Sequence, residues 1–127
     1  MNKIIMSDRV AIRGKYNGVE FVVFRRRCGY DKWTCGYVAI DKPVDYMDLP
    51  IQCHGDLTYG SWGIPTCRNK SANYRQSQFF IGFDTNHGFE TCKQRSVHYA
   101  VGQCKKIIDQ LGYARLVLST FYPKVEG

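Results

Sequence analysis

Hydrophobic and polar positions along this chain follow two different periods. Residues 19–27, VEFVVFRRR, are dense in β-branched and aromatic side chains and predict a strand. Tyr16-Asn17-Gly18 just before it supplies a turn and implies a short partner strand near residues 10–13. CGYDK (28–32) then links to WTCGYVAI (33–40), giving an antiparallel hairpin. DKPVDYMDLP (41–50) is acidic and holds two prolines, so an exposed loop with a single helical turn is expected. QCHGDLTYG (52–60) alternates loosely and reads as a strand whose interior Gly55 weakens. SWGIPTCRNKSANYR (61–75) has the composition of a long loop, and SQFFIGFDT (77–85) is the clearest later strand.

The period then changes. Within SVHYAVGQCKKIIDQLG (96–112), Val97, Ala100, Val101, Cys104, Ile107, Ile108 and Leu111 recur at helical steps and make one apolar stripe. Ser96 stands where an N-cap is wanted and Gly112 where helices commonly stop. ARLVLSTFY (114–122) reads as a final strand. The pattern predicts an α+β fold, an antiparallel sheet of about five strands with one long C-terminal helix packed on one face. Residues 1–127 are long enough for a single domain with a real core. The uncovered face is then solvated, paired with a second subunit, or used for a ligand.

Composition adds limits. With 44% hydrophobic and 23% charged residues the chain matches a packed globule and not a disordered segment. No apolar run approaches the roughly eighteen residues that span a bilayer. The opening MNKIIMSDRV is too short in apolar residues for a secretory signal, so a cytosolic protein is expected. Reduced thiols are then the default for the six cysteines, whose spacings fit no common zinc motif.

The net charge of +7 is uneven: residues 1–36 and 67–127 each carry +5, and residues 37–66 carry −3. Such a basic surface either serves solubility or attracts phosphate-bearing partners. Arg25-Arg26-Arg27 is more pointed. On a strand, Arg25 and Arg27 share one face and repel unless an anion lies between them.

Two polar motifs carry the remaining chemistry, HGDLTYG (54–60) and GFDTNHG (82–88). His54, Asp56, Asp84 and His87 could form a ligand set for a divalent ion, although Asp beside Gly more often serves a turn. A His–Asp pair could also orient a base, but no serine or cysteine lies in a recognisable nucleophile setting. The third reading is ligand binding. Tyr59, Trp62, Tyr74, Phe80 and Phe83 could stack on bases, and Thr58 and Asn86 could meet polar edges. Gly55, Gly60, Gly82 and Gly88 bracket both motifs and let backbone approach closely.

CGYVAI (35–40), HGDLTYG and FIGFDTNHG (80–88), followed by an amphipathic helix, resemble a family of small bacteriophage proteins with C-G-Y-V, H-G-G-L-T-[YF] and G-F-D-x-x-H blocks. The resemblance spans residues 20–112. His54, Thr58, Asp84 and His87 match it. Asp56 stands in place of a second glycine, which removes it as a shared ligand; Thr85-Asn86 replace Cys-Ala, and Phe89 replaces Asp.

The resemblance implies a phage immune-evasion protein, a sponge of the anti-CBASS kind that binds a cyclic di- or trinucleotide in the host cytoplasm without cleaving it. It would be no enzyme and need no cofactor and no metal, and it would act as a homo-oligomer enclosing ligand between protomers. Arg25, Arg27 and Lys70 would meet phosphates, and Tyr59, Trp62 and Phe83 would stack on bases. Thr58, Asp84 and His87 would make polar contacts, with His54, Gly55 and Gly82 shaping the loops. The alternatives are a metal-dependent phosphodiesterase or nuclease using His54, Asp84 and His87, and a protein-directed inhibitor of a host defence factor.

Overall fold

The computed structural model describes residues 6–66 and 73–121. Five strands form one antiparallel sheet, β1 (Met6–Tyr16), β2 (Val19–Cys28), β3 (Asp31–Ile40), β4 (Tyr59–Ile64) and β5 (Tyr74–Asp84), in the order β1-β2-β3-β5-β4. One helix, α1 (Val97–Phe121), follows. The α+β architecture expected from the pattern is the one observed.

Turn chemistry fixes the first two hairpins. Asn17 and Gly18 both take positive φ, 50° and 77°, which suits the two-residue turn that matches strand twist. The second turn is tighter than expected: only Gly29 and Tyr30 separate Cys28 from Asp31, with Gly29 at φ 63°. The acidic segment holds its single turn, a 3-10 helix over Tyr46–Asp48 capped by Asp45 Oδ1 on the Met47 amide at 3.0 Å.

Three elements differ from the sequence expectation. Residues 52–58 are not a strand, because Gly55 and Asp56 both sit at positive φ, 63° and 64°, where no extended pairing is available. Their backbone groups turn instead to α1, where the Gln110 side chain accepts from the Gln52 amide and donates to its carbonyl, both at 2.7 Å. Residues 61–75 are not all loop: β4 runs to Ile64 and β5 begins at Tyr74. Residues 114–121 continue α1 instead of forming a last strand. Once a helix is nucleated each further residue adds one hydrogen bond, and Gly112 costs only about 1 kcal/mol against that gain.

The main core lies between α1 and one sheet face. Ala100, Cys104, Ile107 and Ile108 of the expected stripe are buried against Phe21, Val23, Val38, Ile81 and Phe83. Ser96 Oγ accepts from the Tyr99 amide at 3.1 Å and caps the helix as expected. Gly36 lets helix and sheet close up, since a Cβ there would stand 2.4 Å from the Phe83 ring and 2.8 Å from Cys104 Sγ. The opposite face is largely covered by the chain's own groups. Val22, Phe24, Cys35, Tyr37, Ile64 and Phe80 form a second cluster under Trp33, Tyr59 and Tyr74. The Arg26 guanidinium lies over the Phe24 ring at 5.0 Å and donates to Tyr37 Oη at 2.7 Å.

Candidate functional site

The two polar motifs meet. Gly55 and Asp56 bend the 52–58 segment back over α1, and residues 85–90 turn away from the end of β5 toward it. The rings of His54 and His87 come to 5.6 Å between centroids. They are joined by a residue that neither motif contains. Glu90 Oε2 lies 2.8 Å from His54 Nε2 and 2.6 Å from His87 Nδ1, and Oε1 accepts from the His87 amide at 2.7 Å. Tyr99 and Gln103, one helical turn apart, position the other partner. Tyr99 Oη is 2.9 Å from His54 Nδ1, and Gln103 Oε1 accepts from the His54 amide at 2.9 Å. Gly55 earns its place here, because a Cβ would lie 2.4 Å from the His87 ring.

The Glu90 side chain is fully buried and that of His54 is 4% exposed. Burial pushes the Glu90 carboxyl up, but the hydrogen bonds from His54, His87 and the local backbone outweigh it and hold the pKa at about 2. An ionised Glu90 accepts from both imidazoles, and in a neutral His54 ring that leaves Nδ1 to accept from the Tyr99 hydroxyl. Phe89 stacks across His87 at 5.4 Å and lies 5.5 Å from His54. His54, His87 and Glu90 offer three ligand atoms within 4.8 Å of one another, so a divalent ion has a place to bind.

The other expected contacts scatter. Asp84 borders this cluster: its Oδ1 accepts from the Asn86 amide at 2.9 Å and lies 3.7 Å from His87 Nε2, and Oδ2 accepts from Thr58 Oγ1 at 3.3 Å. Asp56 is a positive-φ turn residue and joins no ligand set. Phe83 is core, 1% exposed beneath α1, and has no free ring face. Tyr59 packs edge-on against Tyr37 at 5.4 Å, and its hydroxyl donates to the Gly63 carbonyl at 2.5 Å. Trp62 stands on edge strand β4, edge-on to Phe79, with half its surface exposed. Gly82 lets β5 approach Tyr37, whose ring would be 2.5 Å from a Cβ. Lys70 lies outside the described residues.

Arg25 and Arg27 lead to a second site. Along one face of β2, Phe21 and Val23 lie under α1, and the same face continues as Arg25 and Arg27 beyond the start of the helix. Here the sheet outruns its cover and leaves a cleft of about 830 Å³. Register sets the charges side by side: Arg9 is directly opposite Arg25, and Lys32 directly opposite Arg27. Arg95 enters from the turn before α1, donating to the Lys32 carbonyl at 3.3 Å and to Asn86 Oδ1 at 3.4 Å. Its Nε is buried and has no acceptor among the described residues. Tyr30, wholly exposed at the hairpin tip, adds an aromatic ring to the wall, whereas Trp33, opposite Arg26 in register, packs its ring on the other sheet face.

Among the described residues the one carboxylate lining the cleft is Asp8, and it is held by Arg26 at 3.0 Å. Among the described residues the arginine–carboxylate pairs are Arg26–Asp8 and Arg75–Glu20, so none involves Arg9, Arg25, Arg27 or Arg95. Like charges directly across a ladder cost about 0.2–1 kcal/mol each. Two such pairs in adjacent rows, with the Arg95 guanidinium beside them, concentrate positive charge at this end of the sheet.

No family model, curated protein or solved structure matches this chain. Glu90 went unread in the sequence although His87-x-x-Glu90 is short enough to close on itself. Arg9, Lys32 and Arg95 went unread because only strand register and the helix start bring them to Arg25 and Arg27.

Proposed function

We infer that this protein binds and withholds a phosphate-bearing ligand in the cleft at the end of α1. The observation that carries the reading is the pair of opposed cation rows, Arg9 with Arg25 and Arg27 with Lys32, which have no carboxylate partners among the described residues. A fold keeps such pairs at a cost, and phosphate oxygens remove the cost by lying between them. Two rows one pleat repeat apart, about 7 Å, suit a ligand with more than one phosphate. Tyr30 supplies a ring for a base. A cyclic di- or trinucleotide fits this combination, and the sequence blocks that resemble phage immune-evasion proteins give it a setting in the host cytoplasm.

The placement of the proton-transfer groups supports a reading of binding without cleavage. Among the described residues no histidine or glutamate lines the cleft, Asp8 there is paired with Arg26, and Cys92 is the one thiol on its wall. The thiols of half-buried Cys53 and buried Cys104 lie outside the cleft, and burial pushes both up to about 12, which disfavours their thiolates near neutral pH. A second copy would enclose the ligand. Ser7, Asp8 and Arg9 line the cleft and also lie on β1, whose outer edge has no partner among the described residues.

The test is retention. Purified protein is mixed with a panel of cyclic di- and trinucleotides and desalted, then heat-denatured, and the released small molecules are weighed by mass spectrometry. Intact nucleotide at stoichiometric amounts, lost in Arg25→Glu and in 0.5 M salt, is the expected result. Altered nucleotide would replace this reading with the metal-dependent phosphodiesterase. Retention of none would replace it with the protein-directed inhibitor.

A further inference from the structure

We propose that His54 Nε2, His87 Nδ1 and Glu90 Oε2 form a binding site for one divalent transition ion of the zinc class, separate from the anion cleft. Three features of the geometry support it. The donor atoms already converge within 4.8 Å, brought from the 52–58 segment and from both ends of the 87–90 turn. The Glu90 side chain is shut off from solvent, and its one oxygen Oε2 meets both imidazoles, at 2.8 Å and 2.6 Å.

The third feature is the outer shell. Each imidazole carries a polar partner behind it, Tyr99 Oη at 2.9 Å from His54 Nδ1 and Asp84 Oδ1 at 3.7 Å from His87 Nε2. Asp84 is itself held by Thr58 and the Asn86 amide. Ligating histidines characteristically have such partners, which fix the tautomer that offers its lone pair to the metal. Metal binding would swap both rings to that tautomer with no net proton change: His54 Nδ1–H then donates to Tyr99, and His87 Nε2–H points to Asp84.

Two imidazoles and one carboxylate select zinc, cobalt or ferrous iron over calcium and magnesium, which prefer all-oxygen shells. Tetrahedral bonds of about 2.0–2.1 Å place neighbouring donors about 3.3 Å apart, so each ring retreats from Glu90 by about half an ångström. Three protein ligands leave a further position, reached from the side where the His87 side chain keeps 25% exposure. Phe89 shields the opposite approach by stacking on His87. The same loop continues to Arg95 through its bond to Asn86, so an ion here would also brace one wall of the cleft.

Chelator-treated full-length protein is titrated with Co2+ and followed by its visible d–d absorption, then back-titrated with Zn2+. One Co2+ per chain, displaced by one Zn2+, is the expected result. His98→Asn and Cys53→Ser should leave the stoichiometry unchanged. Glu90→Gln and His54→Asn should abolish the bound spectrum, and Tyr99→Phe should weaken binding about 10–100-fold. A spectrum that stays that of the aquo ion, or one that survives both Glu90→Gln and His54→Asn, overturns the proposal. Should either variant fail to fold, 15N histidine spectra of the wild type decide. Zinc must move the ring nitrogens of residues 54 and 87 and leave His98 in place; any other pattern overturns the proposal.

Discussion

Glu90 accepts two imidazole hydrogen bonds and a backbone amide through one buried carboxylate. Its pKa is depressed from 4.5 to about 2, so in metal-free protein its stabilisation is complete above pH 4.5 and is lost as pH falls toward 2. We expect Glu90→Gln to flatten acid unfolding across that window, read as the pH dependence of the urea midpoint. Gly55 is the second decisive residue. Alanine there would face a φ of 63° and a His87 ring 2.4 Å from its Cβ, and the ring cannot yield without breaking its bond to Glu90. A loss of about 1–3 kcal/mol is expected from denaturant unfolding of Gly55→Ala. Histidines 54 and 87 were legible as partners from their motifs. Glu90 was not, because burying a carboxylate requires both rings at once, and a linear pattern shows neither.

Among the elements, β2 and α1 were read closely from their periods, and the misread segments share a cause. At 52–58 loose alternation suggested a strand, but paired positive-φ residues and a glutamine clamp from α1 took the backbone elsewhere. At 114–121 β-branched residues and Gly112 suggested a stop and a strand, while an established helix simply propagated. The cleft shows a subtler limit. From Tyr16↔Val19 to Ile12↔Val23 the pairing is regular, but the shift between Val10 and Ile12 moves Arg9 opposite Arg25 instead of Arg26. Counting residues from the turn would put Arg9 on the wrong face. This register has a measurable consequence. Arg25→Glu replaces a repulsive cross-strand pair with an attractive one, so unliganded stability should rise by about 0.2–1 kcal/mol while nucleotide retention is lost.

For the molecule as a whole, the described part has no helix long and apolar enough to cross a membrane. Cysteines 28, 35, 53, 92 and 104 are free thiols, and Cys67 lies outside the described residues. The open edge of β1 carries Val10 and Ile12, 38% and 41% exposed, where a charge would be the usual guard against pairing. We expect light scattering to report a dimer, and Ile12→Lys to return it to monomer with the far-UV spectrum unchanged.

The junction between Val23 and Arg25 also limits how the chain can err while folding. A slip of two residues along β2 keeps every side chain on its proper face, so in-and-out alternation cannot forbid it. That slip would drive the Arg25 guanidinium beneath α1, into the place of Val23 beside Gly36 and Phe83. Burying an unpaired cation there is prohibitive. The arginines of the cleft thus also act as a mechanical stop, holding the strand at its one admissible setting.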